Sequence, residues 1–231
     1  MTRASKRKSD NQSSASVKSA RVDSVRSASS RGTTKMQERI DELYTKYANE
    51  SSGLIDPEGI EALCSDLGVD YTDVKILMLA WKMNAQKQGY FGQDEWRRGL
   101  KALRVDTINK LKKALPELEK EVLKSDNFED FYKYAFRYSL TEEKQKCLDI
   151  ESTCILIDMV LAFQYQPQVH SFIEFLKVQT DYKVINMDQW TNFLRFCQEI
   201  SFPDLDNYDS CEAWPLLLDN FVDWMKPKAN A

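Results

Sequence analysis

From Met36 onward the apolar residues recur at three- and four-residue steps: Met36, Ile40, Leu43, Tyr44 and Tyr47, then Ile60, Leu63, Cys64 and Leu67. That spacing lines side chains along one face of an α-helix. The same period runs through Ile76-Leu79-Ala80-Met83, Trp96-Leu100-Leu103, Ile108-Leu111-Leu115-Leu118-Val122 and Phe128-Phe131-Tyr132-Ala135-Phe136. Val169-Phe172-Ile173-Leu176 and Trp190-Phe193-Leu194-Cys197 complete the set. No alternating apolar run is long enough for a substantial sheet, so the pattern predicts an all-α body of about eight to ten helices.

Breaks fall where backbone chemistry places them. Pro57 and Pro203 suit a helix start or a turn, and Gly53 and Gly68 suit a helix end. All seven glycines lie at or before Gly99, and none forms the Gly-x-x-x-x-Gly-Lys pattern of a phosphate-cradling loop. A weak repeat joins the helices: Phe91-Gly-Gln-Asp-Glu95-Trp96 and Ile185-Asn-Met-Asp-Gln189-Trp190 share an apolar residue, a short link and a helix start with Trp. Leu54-Ile55…Ile60 and Leu148…Cys154 overlay them loosely. Four such units suggest two EF-hand-like helix-loop-helix pairs; ordinary helix-loop-helix packing is the open alternative. With Gly89 at loop position 6, Asn84, Gln86 and Gln88 fill positions 1, 3 and 5 and Glu95 fills position 12. One carboxylate is too few for tight calcium binding, so the pairs are expected to lack calcium ligands.

Charge divides the chain. Residues 1–34 carry +6 and residues 35–231 carry −10, within a whole-chain net charge of −4. The first segment has ten serines and no aromatic residue, so it is expected to be a disordered basic tail, with residues 35–231 as the domain. Lys6-Arg7-Lys8 reads as a short nuclear-localisation patch, giving an expected distribution between nucleus and cytoplasm. An acidic body favours a basic protein partner over nucleic acid. No membrane partner is expected: no apolar run approaches a span, no secretory segment precedes the first helix, and Thr2 stands where myristoylation needs Gly.

Five scattered cysteines read as free thiols, and with one histidine and no Cys-x-x-Cys neither a structural metal nor a cofactor is expected. Cys64, Cys154 and Cys197 sit in apolar helical registers, where burial dulls a thiol. His170 has no acidic neighbour in sequence, so no nucleophilic triad forms and the chain is not read as an enzyme. The C-terminal run from Asp206 to Trp224 is dense in acidic and aromatic residues, with Trp214, Leu217, Phe221 and Trp224 as docking side chains. Treated as continuous helix, it offsets Ala213 from Asp219 by about 600° of turn.

Leu79-Ala-Trp81-Lys82, Asp188-Gln-Trp190, Asn207-Tyr-Asp209 and Ala213-Trp-Pro-Leu-Leu-Leu-Asp219-Asn-Phe-Val, in this order and spacing, resemble the defective-in-cullin-neddylation (Dcn-like) family over residues 36–226. The resemblance implies a scaffold-type ligase component, without a covalent intermediate, that aids transfer of a ubiquitin-like modifier to a cullin. It implies a patch at Asp188, Ala213 and Asp219 for the cullin's basic C-terminal winged-helix subdomain, beside a cullin-bound RING protein. It also implies a pocket for the acetylated N-terminal methionine of the neddylation conjugating enzyme, at Ile60, Ile76, Leu79, Ala80, Met83 and Phe91. A monomer is expected. The competing expectation is an EF-hand-like adaptor that responds to calcium.

Overall fold

The structure is a computed structural model that describes residues 34–229; the basic patch Lys6-Arg7-Lys8 and the tail to residue 33 lie outside the described residues. The described residues are almost wholly helical. Helix α1 covers residues 34–47. It is followed by α2 (Pro57–Leu67), α3 (Val74–Met83), α4 (Gln93–Leu103), α5 (Ile108–Val122) and α6 (Ser125–Tyr138). Strand β1 (Cys147–Asp149), helix α7 (Ile150–Val178), strand β2 (Val184–Asn186) and helices α8 (Met187–Glu199) and α9 (Leu216–Ala229) complete the chain.

Caps set the boundaries. The Asp56 carboxylate accepts from the Gly59 N–H and Pro57 opens α2, so two of the unpaired groups at its start are dealt with locally. Gly68 closes the helix in the left-handed region at φ 69°. Asn186 and Gln189 form a reciprocal capping box at the start of α8. The sequence is less direct over residues 150–165, where Ile155-Leu156-Ile157 and Met159 through Phe163 are apolar on every side and hide the helical period. Two of those side chains, Ile155 at 61% and Phe163 at 49%, are in fact exposed.

Helix α7 does not run straight. Tyr165 leaves the helical region (φ −129°, ψ 45°), and Pro167 just beyond it can donate no backbone hydrogen bond. His170 Nε2 consequently lies 3.9 Å from Asp158 Oδ1, whereas twelve residues of straight helix would separate the two by about 18 Å. The two arms of α7 fold toward each other.

Two short antiparallel contacts tie the loops. Ile55 and Phe91 exchange backbone hydrogen bonds of 3.0 and 2.9 Å. In the second half β1 pairs with β2, placing Leu148 opposite Ile185. All four residues are buried, so each link also plugs the core. Trp96 and Trp190, four residues after Gly92 and Asn186, are fully buried and donate to the carbonyls of Ile40 (3.1 Å) and Tyr132 (3.0 Å). A buried indole keeps its packing area only if its N–H finds an acceptor, and both do.

Gly59 marks the tightest approach near the first link. A Cβ there would fall 2.2 Å from the Tyr47 carbonyl oxygen and 3.0 Å from Ile55 Cγ2. Gly59→Ala is expected to destabilise the domain by about 2–3 kcal/mol, since backbone rather than a pliable side chain must yield. Urea unfolding at unchanged m-value measures it.

Candidate functional site

Asp188 lies on α8, Ala213 in the segment 200–215 and Asp219 in the first turn of α9. Helix α9 starts only at Leu216, so Ala213 lies before it, and the offset of about 600° expected for a continuous helix from Ala213 to Asp219 does not apply. Pro215 explains the correction: it biases Trp214 toward extended backbone, and its own carbonyl accepts the first bond of the new helix from Leu218 N (2.7 Å). Ala213 is exposed and Asp219 half-buried.

The segment 200–215 has no regular structure, and side chains supply what a ladder would. Asn207 Oδ1 accepts from both Ser201 N (2.7 Å) and Ser201 Oγ (2.8 Å), and its Nδ2 donates to the Glu199 carbonyl at the end of α8 (2.7 Å). The ring of Tyr208 stacks on Trp214 at 5.6 Å and meets Phe196 at 6.0 Å. Its hydroxyl donates to Asp219 Oδ1 at 2.7 Å. Burial first, and then the adjoining Asp219 carboxylate, push the Tyr208 phenol far above its ordinary range, so it remains a donor. Asp209 Oδ1 accepts from Cys211 N (2.8 Å). The Asn207-Tyr208-Asp209 run thus bolts the segment at three points.

Asp188 stands exposed in the first turn of α8, where a negative charge is favoured by the helix dipole. Asn192 donates to its carboxylate at 3.1 Å. Arg195, two turns and about 10 Å along the same helix face, bonds Glu199 and Glu212 at 2.9 Å each and lies 4.1 Å from the Trp214 ring centroid. It links the Asp188 face of α8 to the residues flanking Ala213. Sequence reasoning gave Arg195 and Tyr208 no role. The only signal for the latter was its place in the Asn-Tyr-Asp run, and for Arg195 no periodic or motif signal exists.

In the first half a cleft of about 180 Å³ opens between α2, α3 and the arm of α7 that begins at Ile150. Ile60, Ile76, Ala80 and Phe91 line it. Leu79 and Met83, grouped with them in the sequence reading, do not: both are fully buried, and Met83 is pressed against Gly99, where a Cβ would fall 2.2 Å from Met83 Cγ. The contact with Gly99 turns Met83 toward α4 and away from the cleft. Residues distant in sequence supply the far wall, among them Tyr138, Leu156 and Met159. The Tyr138 hydroxyl accepts from Gly89 N at 3.3 Å, and burial raises its pKa strongly.

Cys64, Cys154 and Cys197 are buried thiols, as their apolar helical registers lead one to expect. Burial pushes Cys64 up to about 11 and raises Cys154 and Cys197 as well, which suppresses the thiolate. His170 and Asp158 are each more than half exposed at the side chain. Among the described residues no group of three or more His, Cys, Asp or Glu side chains could hold a metal ion. Glu95, in the first turn of α4, reaches back to the preceding loop: its Oε1 accepts from Gln86 N (2.9 Å) and its Oε2 from Gly92 N (2.7 Å), so its carboxylate is spent on backbone amides.

Asn207→Ala is expected to cost about 1–3 kcal/mol by removing three hydrogen bonds at once. Limited proteolysis is expected to shift its first cleavage into residues 201–214, and mass spectrometry of the fragments reads that site.

Comparison with known proteins places these features. The family model described as cullin binding matches residues 110–224. The chain is 41% identical to human DCN1-like protein 4 over 189 residues, covering 81% of this chain and 62% of that protein. It is 36% identical to human DCN1-like protein 5 over 183 residues, covering 79% of this chain and 75% of the relative. With Dictyostelium discoideum DCN1-like protein 2 it shares 40% identity over 189 residues, 80% and 69% of the two chains. It therefore spans less than two thirds of DCN1-like protein 4 but three quarters of DCN1-like protein 5. On the strength of that coverage and identity, the chain belongs to the DCN1-like protein family.

Proposed function

We propose that this protein is a non-catalytic scaffold that promotes cullin neddylation by binding a cullin and a conjugating enzyme together. The observation that carries the reading is the surface where Ala213 stands exposed next to the buried Trp214 and close in sequence to the tethered Asp219, in a family whose model is described as cullin binding. A small residue leaves room for a partner's side chain, and carboxylates on α8 and α9 attract a basic one. Asp188, Ala213 and Asp219 are the proposed contacts for the cullin's winged-helix subdomain.

The cleft lined by Ile60, Ile76, Ala80 and Phe91 is the proposed seat of the conjugating enzyme's acetylated N-terminal methionine, with Leu79 and Met83 supporting it from the core. Holding both partners raises the effective concentration of the modifier's thioester at the cullin lysine, a gain of orientation rather than of bond chemistry. The cullin-bound RING protein is the proposed third member of the assembly. The paired links Ile55–Phe91 and Leu148–Ile185 support an EF-hand-like ancestry for the two halves, with hydrogen bonds in place of calcium. Lys6-Arg7-Lys8 is proposed to direct a nuclear fraction.

Charge reversal tests the patch. Asp188→Lys and Asp219→Lys are each expected to weaken binding of a cullin C-terminal fragment at least about a hundredfold, with circular dichroism unchanged. Ala213→Arg is expected to act alike by bulk. Retained affinity in all three removes the assignment.

The cleft is tested by calorimetry with two peptides of the conjugating enzyme's N-terminus. The acetylated form is expected to bind at least about tenfold more tightly than the free amine, whose charge would have to be desolvated in an apolar cleft. Ala80→Arg is expected to abolish that binding and leave the cullin fragment's affinity unchanged. Equal affinities for the two peptides would make these residues core only.

A further inference from the structure

Of the carboxylates proposed to face the cullin, Asp219 has its orientation set by a rigid neighbour. The Tyr208 hydroxyl donates to its Oδ1 at 2.7 Å. The direction of control follows from packing. The Tyr208 ring is held by Trp214 at 5.6 Å and Phe196 at 6.0 Å, and the preceding Asn207 is bonded to Ser201 and to the end of α8. Asp219 has only a short side chain on the first turn of α9. The phenol is fixed by its surroundings, and the carboxylate adapts to it.

We propose that Tyr208 is a positioning residue for cullin recognition, holding the Asp219 carboxylate in the rotamer that presents its remaining oxygen sites to a partner's cation. The inference rests on the proposed cullin-binding role of this surface. A carboxylate has about four lone-pair sites, and the phenol occupies one. Fixing the rotamer before the encounter spares the complex the entropy of fixing it on binding. Because Tyr208 belongs to the segment bolted to α8 and Asp219 to α9, the same bond also sets the Asp219 charge relative to the α8 face.

The experiment is a neddylation assay with the full chain and the cullin as varied substrate, supported by direct titration of the cullin winged-helix subdomain. Tyr208→Phe keeps the aromatic stack and removes only the donor. It is expected to raise KM for the cullin about tenfold with the maximal rate unchanged, the melting temperature within about two degrees, and the affinity of the acetylated peptide unaltered. Asp219→Glu retains the charge but carries it one methylene past the hydroxyl. It is expected to lose a similar factor, and Tyr208→Phe/Asp219→Glu to be no weaker than either alone. Additive losses, or an unchanged KM in Tyr208→Phe while Asp219→Lys still abolishes binding, would overturn the positioning role and leave the cullin patch standing. Full binding by Asp219→Lys would overturn the positioning role, and full binding by Asp188→Lys and Ala213→Arg as well would overturn the patch.

Discussion

Tyr132 of α6 and Trp190 of α8 lie face to face with ring centroids 4.4 Å apart and planes 14° from parallel. The polar atom of each ring donates to the other residue's backbone carbonyl, at 3.2 Å from the hydroxyl and 3.0 Å from the indole. Both side chains are fully buried, where an unmatched donor would cost more than a made bond returns. The pair fixes the angle and the height of α8 against α6 together. Everything proposed for the second half, from Asp188 at the start of α8 to the segment that leaves its end, inherits its position from that lock. Tyr132→Phe would keep the ring stack and remove one of the two hydrogen bonds between the helices, whereas Trp190→Phe would also leave a cavity.

The lock also joins the halves. Helix α6 packs on α3 and α5 as well as on α7 and α8, so the helix that carries Ile76 and Ala80 and the helix that carries Asp188 share a neighbour. The proposed role, presenting two partners to each other, needs the two regions rigidly related. Here the relation is made by aromatic packing and buried hydrogen bonds rather than by surface ion pairs, most of which are solvated and worth little.

The helical class and most of the core faces were legible in the sequence because three- and four-residue spacing maps directly onto burial, as it does for Leu111, Leu115, Leu118 and Val122. The apolar links at Phe91 and Ile185 were legible too, being single hydrophobic residues just ahead of a helix start. Leu79 and Met83 share the helical stripe of Ile76 and Ala80, and their separation from the cleft depends on packing partners such as Gly99 that spacing alone does not reveal. The apolar neighbours of Ala213 mimic a helical stripe, and the extended bias ahead of Pro215 overrides it. The far wall of the cleft, Tyr138, Leu156 and Met159, was hidden for a different reason: it arrives from helices more than forty residues away. Tyr208 was visible as a letter in a motif, but its bond to Asp219 depends on where α9 begins.

The bend in α7 has an effect on how the chain can vary. One arm gives Leu156 and Met159 to the cleft, and the other packs Phe172 and Phe175 against Phe221 beneath the helix of Asp219. In a continuous helix, one added residue anywhere between Met159 and Phe172 would rotate one set of side chains about 100° relative to the other. The non-helical turn at Tyr165 breaks that coupling. Length changes at the bend can be absorbed in the turn itself, so the cleft and the surface proposed to face the cullin are free to diverge in sequence and in phase while sharing a single unbroken segment of chain.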